Sequence, residues 1–219
     1  MRLEGTRSTI LDAAVELGSL RGLEDLSLGR LASAVGMSKS GLFAHFGSKE
    51  ELQLATVAQA WEVFDAEVLR GPREAGSQGL GELLERWLSF YERRVLIGGC
   101  FFVISAAEFA SRQDAVSEAL AQAVERQIAA IERTVRRASK GGELEIVTSP
   151  SQTAFGLFSL LVNSDALFHL REDPIVFDRA RVAIGEFLDQ RGDARVHPDR
   201  PEAAAAEDSA LPSYARVDR

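Results

Sequence analysis

The sequence predicts an all-α protein of about nine helices, and three observations carry that prediction. Apolar residues recur at i, i+3, i+4 and i+7 in run after run, the spacing of one buried helix face. Glycine, paired glycines or Asp-Pro separate the runs, as at Gly36, Gly98-Gly99, Gly141-Gly142 and Asp173-Pro174. Only Cys100 to Ala110 is short and apolar enough to suit a strand, and no second segment exists for it to pair with. The chain divides into a three-helix unit over 1–52, a helical body over 53–191 and a tail over 192–219.

The first helix is expected from near Thr6 to Leu20, burying Ile10, Ala14 and Leu17 and closed by Gly22. Leu28, Leu31, Ala32 and Val35 form the next face, with Ser27 placed to cap its first turn and Gly36 to end it. Ser38 caps a short third helix that turns Leu42 and Phe46 inward and Lys39, Ser40 and Phe43 outward. Two short helices joined by a glycine turn make a helix-turn-helix, whose second helix enters the DNA major groove.

Ser48 and Glu51 then form a capping box for a longer helix with Val57, Trp61, Phe64 and Val68 on its face, ending at Gly71-Pro72. Residues Gly71 to Gly81 read as a loop, without the lysine of a phosphate-binding loop. Helices are expected over Leu80 to Leu96, Cys100 to Ala110 and Gln113 to Lys140, the last burying Val116, Leu120, Val124, Ile128, Ile131 and Val135. Ser151 to Leu170 is apolar nearly all round, so every face needs a cover. A final helix carries Phe177, Ala180, Ile184 and Phe187 to about Arg191.

Charge supports a nucleic-acid role for the front of the chain. The 219 residues carry 25 basic and 33 acidic side chains, a net of −8. Yet Leu26 to Lys49 holds Arg30, Lys39 and Lys49 and no acid. A surface for phosphate must be locally positive whatever the total, because released counterions supply much of the affinity. By itself this pattern is equally an ordinary helical hairpin with surface cations.

The stretch ILDAAVELGSLRGLEDLSLGRLASAVGMSKSGLFAHFGSKEELQLA, within residues 7 to 61, resembles the N-terminal domain of the tetracycline-repressor (TetR) family of bacterial regulators. The similarity lies in Ala13-Ala14, Gly22, Leu26-Ser27, Leu31-Ala32, Val35-Gly36-Met37-Ser38, Leu42-Phe43, His45-Phe46 and Ser48-Lys49-Glu50-Glu51-Leu52, in that order. The resemblance implies contact of double-stranded DNA by Ser27, Lys39, Ser40, Gly41, Phe43, His45 and Lys49. Arg30 and Ser38 lie in the same acid-free segment and join that candidate set. Phe43 stands where the family commonly has tyrosine, which removes a hydroxyl contact, and Ala44 replaces a larger side chain.

The resemblance further implies a homodimer through the last two helices, with Phe158, Leu161, Phe168, Phe177 and Ile184 as candidate interface residues. It implies a repressor released from a palindromic operator by a small-molecule effector. For the effector the candidates are Trp87, Tyr91, Cys100, Phe101, Phe102, Phe109 and Phe158 as apolar surface, with Glu108 and Asn163 as polar groups, because ligand pockets are mostly apolar with a few placed polar atoms. Each aromatic is also a natural core residue.

Other classes find little support. His45, His169 and His197 have no partners at metal-ligand spacing, no catalytic motif occurs, and no cofactor is expected. A helical small-molecule carrier or enzyme without DNA binding is the alternative. One cysteine, Cys100, precludes an intrachain disulfide, and neither a signal peptide nor an apolar run of ~18 residues is evident, consistent with a cytoplasmic protein without a membrane span. The tail from Gly192 is too poor in large apolar residues to order itself.

Overall fold

A computed structural model describes residues 2–70, 79–145 and 148–189, with side chains from residue 7 onward. The described residues contain nine α-helices and no strand: α1 (Arg2–Arg21), α2 (Leu28–Ala34), α3 (Lys39–Phe43), α4 (Lys49–Phe64), α5 (Leu80–Glu92), α6 (Phe101–Phe109), α7 (Ala115–Lys140), α8 (Pro150–Arg171) and α9 (Ile175–Asp189). A π-helical turn, Asp65–Arg70, continues α4. The tail, His197, the last residues to Arg191 of the expected final helix and residues 71–78 of the expected Gly71–Gly81 loop lie outside the described residues.

Local chemistry sets most boundaries. The Ser27, Ser38 and Ser48 hydroxyls accept from the Arg30, Gly41 and Glu51 amides at 3.3, 3.0 and 3.0 Å, each satisfying an orphan donor of a first turn. The capping box at Ser48 is displaced by one residue: Glu51 Oε2 accepts from the Gly47 amide at 3.0 Å, not from Ser48. Gly36 turns the chain between α2 and α3 at φ 68°, where a Cβ would be strained. Asp114 and Ser117 make a reciprocal box at the start of α7.

Three expected spans change. Helix α1 begins at Arg2 instead of Thr6. Helix α5 stops at Glu92, four residues short of Leu96, and Arg94 adopts φ 52° in the turn that follows. The run expected as one helix to Gly71 changes hydrogen bonding at Asp65 and finishes as the π-helical turn, with Val68 still buried. Such a turn is a rare insertion in a helix and is frequent at functional sites.

Helix α7 is the axle of the body, packed against α4, α5, α6 and α8. Helix α1 packs on α2, α4 and α6, and α8 on α9. One contiguous apolar core runs from Ile10 to Ile184 through both parts of the chain. The α7 stripe is rotated from the expected one: Gln127 and Thr134 are buried, whereas Val124 and Ile128 are only half-buried. Helix α4 passes through residue 52 without a break and packs on both α1 and α7. Against the expectation that no span is apolar enough, α8 is long and apolar enough to cross a membrane by length and composition; here it packs on α7 and α9.

Candidate functional site

Helix α3 is only five residues long, and its sequence separates two faces. Leu42 and the following Phe46 are fully buried, and α3 packs on α2. Lys39, Ser40 and Phe43 are exposed, Phe43 to 49%. The Ser38 hydroxyl both caps the helix and lies 3.2 Å from the Ser40 hydroxyl, so Ser38, Ser40 and Gly41 form one small polar ledge. His45 is half-buried beside Phe46. Arg7, which could have reached a phosphate, instead lies with its guanidinium over the Phe46 ring, 4.6 Å from the centroid.

The acid-free stretch is not acid-free in space. Arg30 pairs with Asp25, and Lys49 Nζ donates to the Glu24 carbonyl at 2.6 Å while sitting 3.3 Å from Glu24 Oε1. Both acids lie just before the segment in sequence, and chain reversal at Leu26 brings them back onto it. Among the described residues Lys39 has no ion-pair partner, which leaves it the free cation of the patch. Exposed pairs of this kind are worth about 0–1 kcal/mol, so a phosphate can displace the carboxylates.

Glu24 has a second cationic partner that the sequence did not reveal. Arg112, in the corner between α6 and α7, donates to Glu24 Oε2 at 2.6 Å. Glu108 lies one helix turn away and accepts from the Glu24 amide at 3.2 Å. Glu108 therefore straps α6 to the turn after α1 and does not face an effector pocket. It sits against Gly22 (φ 85°), where a Cβ would overlap its carboxylate. Gly98 makes a second close approach, to the Ser19 carbonyl, and its amide donates to the Ser19 hydroxyl at 3.2 Å.

The aromatic candidates for an effector pocket are core. Trp87, Phe101, Phe102 and Phe109 are at most 2% exposed, and Tyr91 and Cys100 are equally enclosed. Trp87 donates its indole N–H to the Tyr91 hydroxyl at 2.8 Å, and Phe158 packs edge-on against Trp87. Their rings pack edge-on across α4, α5 and α6: Phe64 meets Trp87 and Phe102, and Phe101 meets Phe102. Asn163 is exposed on the outer face of α8 and points away from these rings.

A polar knot does lie within this core. The Cys100 amide donates to Asp165 Oδ2 at 2.8 Å, and Asp165 Oδ1 faces His169 Nε2 at 3.4 Å. Gly99, at φ 94°, leaves the space that the His169 ring and Asp165 occupy. Burial raises the Asp165 pKa, against the lowering pull of the Cys100 amide and His169. Burial, and secondarily the Asp165 charge, push the Cys100 thiol up to about 11, so it is a protonated, inert thiol at neutral pH. Tyr91 is likewise raised, chiefly by burial.

Sequence reading also missed Gln127 and Ser105. Both are fully buried, and the Gln127 amide atoms and Ser105 hydroxyl have no hydrogen-bond partner among the described residues. Open concavities lie elsewhere: a cleft of about 460 Å³ between the π-helical turn, α5 and the last turns of α7, and wider hollows of about 600 Å³ at the α6–α7 corner and about 680 Å³ between α4 and α7. The signal of the cleft was the cationic run Arg133, Arg136, Arg137 and Lys140, which reads as a solvated helix face. Among the described residues no group of three His, Cys, Asp or Glu is placed to hold a metal.

The expected interface residues also turn inward. Leu161, Phe168, Phe177 and Ile184 are at most 8% exposed and join α8 to α9 and the body, and Phe158 is half-buried against Trp87. The apolar stripe of each helix expected to face a partner is buried within the chain itself. Their other side leaves Phe155 59%, Leu170 78% and Val182 61% exposed, with Leu167, Ile175 and Phe187 alongside.

Comparison with known proteins agrees with this architecture. Residues 10–56 match the model for bacterial regulatory proteins of the tetR family, and residues 76–184 match that for tetracyclin repressor-like C-terminal domains. The chain is 33% identical over 63 residues to the HTH-type transcriptional regulator AcrR of Shigella flexneri, a match spanning 29% of this chain and 27% of that regulator. A TetR transcriptional regulator from Chloroflexus aurantiacus shares the fold with a TM-score of 0.77 at 22% identity, over 87% of this chain and 98% of that one. The structure of AibR in complex with isovaleryl coenzyme A and operator DNA superposes with a TM-score of 0.63 at 20% identity, over 83% of this chain and 97% of that one. With both parts of the chain matched and the helical order shared, the protein belongs to the tetR family of bacterial regulatory proteins.

Proposed function

We propose that this chain is a homodimeric repressor that binds a palindromic operator and is released from it by a small-molecule effector. The observation that carries the reading is the division of α3: Leu42 and Phe46 anchor it, while Lys39, Ser40 and Phe43 stand free to enter a major groove. Ser27, Arg30, Ser38, Gly41, His45 and Lys49 surround that face as backbone and phosphate contacts. Arg30 and Lys49 are released from Asp25 and Glu24 as DNA replaces those acids.

The exposed apolar faces of α8 and α9 support the dimer. Phe155, Leu167 and Leu170 on one helix and Ile175, Val182 and Phe187 on the other are large apolar side chains left exposed, as partner-facing residues are. Pairing the same two helices of two copies would bury on the order of 2,000 Å² in total. The two α3 helices would then lie about one DNA turn, ~34–36 Å, apart. Residues 1–52 serve as the DNA-reading unit and 53–191 as the effector and dimer body, with α4 shared as the lever between them. A fold relative solved with an acyl thioester and operator DNA together supports effector control of this kind.

The test is selection of bound fragments from a pool of random duplexes. The expected product is an inverted repeat protected on two successive major grooves. Recovery of unenriched sequence at low salt would refute the reading.

A further inference from the structure

We propose that the cleft between the π-helical turn, α5 and α7 binds an organic phosphate: a multiply charged phosphate head joined to a short apolar portion. This rests on the effector reading and names the chemistry of the ligand. Five cations line the cleft, Arg86, Arg133, Arg136, Arg137 and Lys140, and no acid does so among the described residues. In a chain of net charge −8 this is a strong local inversion. Glu82 and Glu132 neutralise Arg86 and Arg136 from outside the cleft. Arg137 is held only by the Thr134 hydroxyl, at 3.3 Å, and Arg133 and Lys140 have no ion-pair partner among the described residues.

Three uncompensated cations around one concavity exceed what a single carboxylate needs and suit a di- or trianion. Guanidinium forks match the oxygens of phosphate two at a time, which a lone ammonium does not. Leu69, Leu83 and Ala130 supply an apolar floor, so the ligand carries hydrocarbon as well as charge. The cleft volume, about 460 Å³, falls in the range of small-molecule sites.

The position couples the ligand to DNA. Leu69 belongs to the π-helical turn that ends α4, and Arg86 Nε donates to the Val68 carbonyl of the same turn at 2.8 Å. An anion that recruits the Arg86 guanidinium draws it from that carbonyl and shifts the end of the helix whose first turn carries Lys49. The fixed hydrogen bonding of a regular α-helix would resist such a change more than a π-helical turn does.

The experiment is calorimetric titration of the full-length protein, without DNA, with octyl phosphate, octanoate, octanol and inorganic pyrophosphate. Octyl phosphate is expected to bind once per subunit, at least about tenfold more tightly than octanoate or octanol, with affinity falling as salt rises. Both Arg133 and Lys140 are exposed, so the R133Q/K140Q variant should keep its melting temperature and lose about tenfold or more in affinity. Octanol or octanoate binding as well as the phosphate, absence of saturable binding, or full affinity in R133Q/K140Q would each overturn the proposal. Because binding is read without DNA, charge-dependent uptake by a protein whose operator affinity stays unchanged would support the site while refuting effector release.

Discussion

The protein has two cationic surfaces, and they differ in shape and in how their charges are held. The patch on α2, α3 and the start of α4 is convex, with Arg30 and Lys49 already engaged by Asp25 and Glu24 and Lys39 free. The cleft beside α7 is concave, with three of its five cations uncompensated and apolar side chains beneath them. A convex ledge fits the groove of a large, stiff polyanion, and a lined cleft fits a small one. Positive charge alone specifies neither; curvature and the neighbouring acids decide which anion each surface takes.

The largest effect that would separate the two surfaces comes from the outer face of α8. The F155E/L170E variant should be a monomer by sedimentation and should lose operator affinity by about 10²-fold or more, since each half-site then binds alone. Binding of octyl phosphate should survive, because the cleft lies within one subunit. Loss of both activities together would show that the cleft needs the dimer.

A smaller change is expected from Lys39→Ala. Removing the free cation should lower the slope of log K against log salt by about 1 per site, ~2 per dimer, and weaken operator binding about tenfold or more. Lys49→Ala should reduce the slope by less, because the wild-type lysine must first leave Glu24. Equal slopes for the two variants would mean that the Glu24 pairing has no weight in solution.

Glu24→Gln sharpens the same point in the other direction. It frees Lys49 and Arg112 of a carboxylate, so affinity for any duplex should rise about two- to fivefold at low salt and converge on wild type at high salt. A fluorescence polarisation series across ionic strength reads this directly.

The smallest effect is on stability and touches neither surface. Burial raises the folded-state pKa of Asp165, so the folded chain holds this proton more tightly than the unfolded chain. Its contribution is therefore full below the unfolded carboxylate pKa and is lost as pH rises through the folded value. Asp165→Asn keeps an acceptor for the Cys100 amide and carries no charge to desolvate. Its melting temperature at pH 7 should exceed wild type by about 2–4 °C, for a change of about 1 kcal/mol, and the gap should close in acid. A gap unchanged by pH would remove the charge from the explanation.

What was legible in the sequence is what local chemistry controls. Serine hydroxyls within reach of free amides set the starts of α2, α3 and α4, Gly36 set the turn, and the spacing of Leu42 and Phe46 fixed which side of α3 is buried. The DNA-facing candidates all sit between Ser27 and Lys49, so their arrangement follows from those few local rules. The α4 boundary resisted because a π-helical turn has no residue signature of its own.

Tertiary structure alone decided which of several apolar faces meets which neighbour. Helices α8 and α9 each carry two apolar sides, and only assembly on α7 showed that Leu161, Phe177 and Ile184 are spent inside the chain while Phe155, Leu170 and Val182 remain outside. The aromatic run that suggested a pocket is buried core, and the cations of α7 became a cleft only when α5 and the π-helical turn closed beside them. The sequence by itself determined helix and cap, and in α3 the inward side, because those interactions span four residues or fewer. It left open Glu24 with Arg112, Cys100 with Asp165 and Arg86 beside Arg133, because such contacts join residues tens of positions apart that periodicity cannot relate.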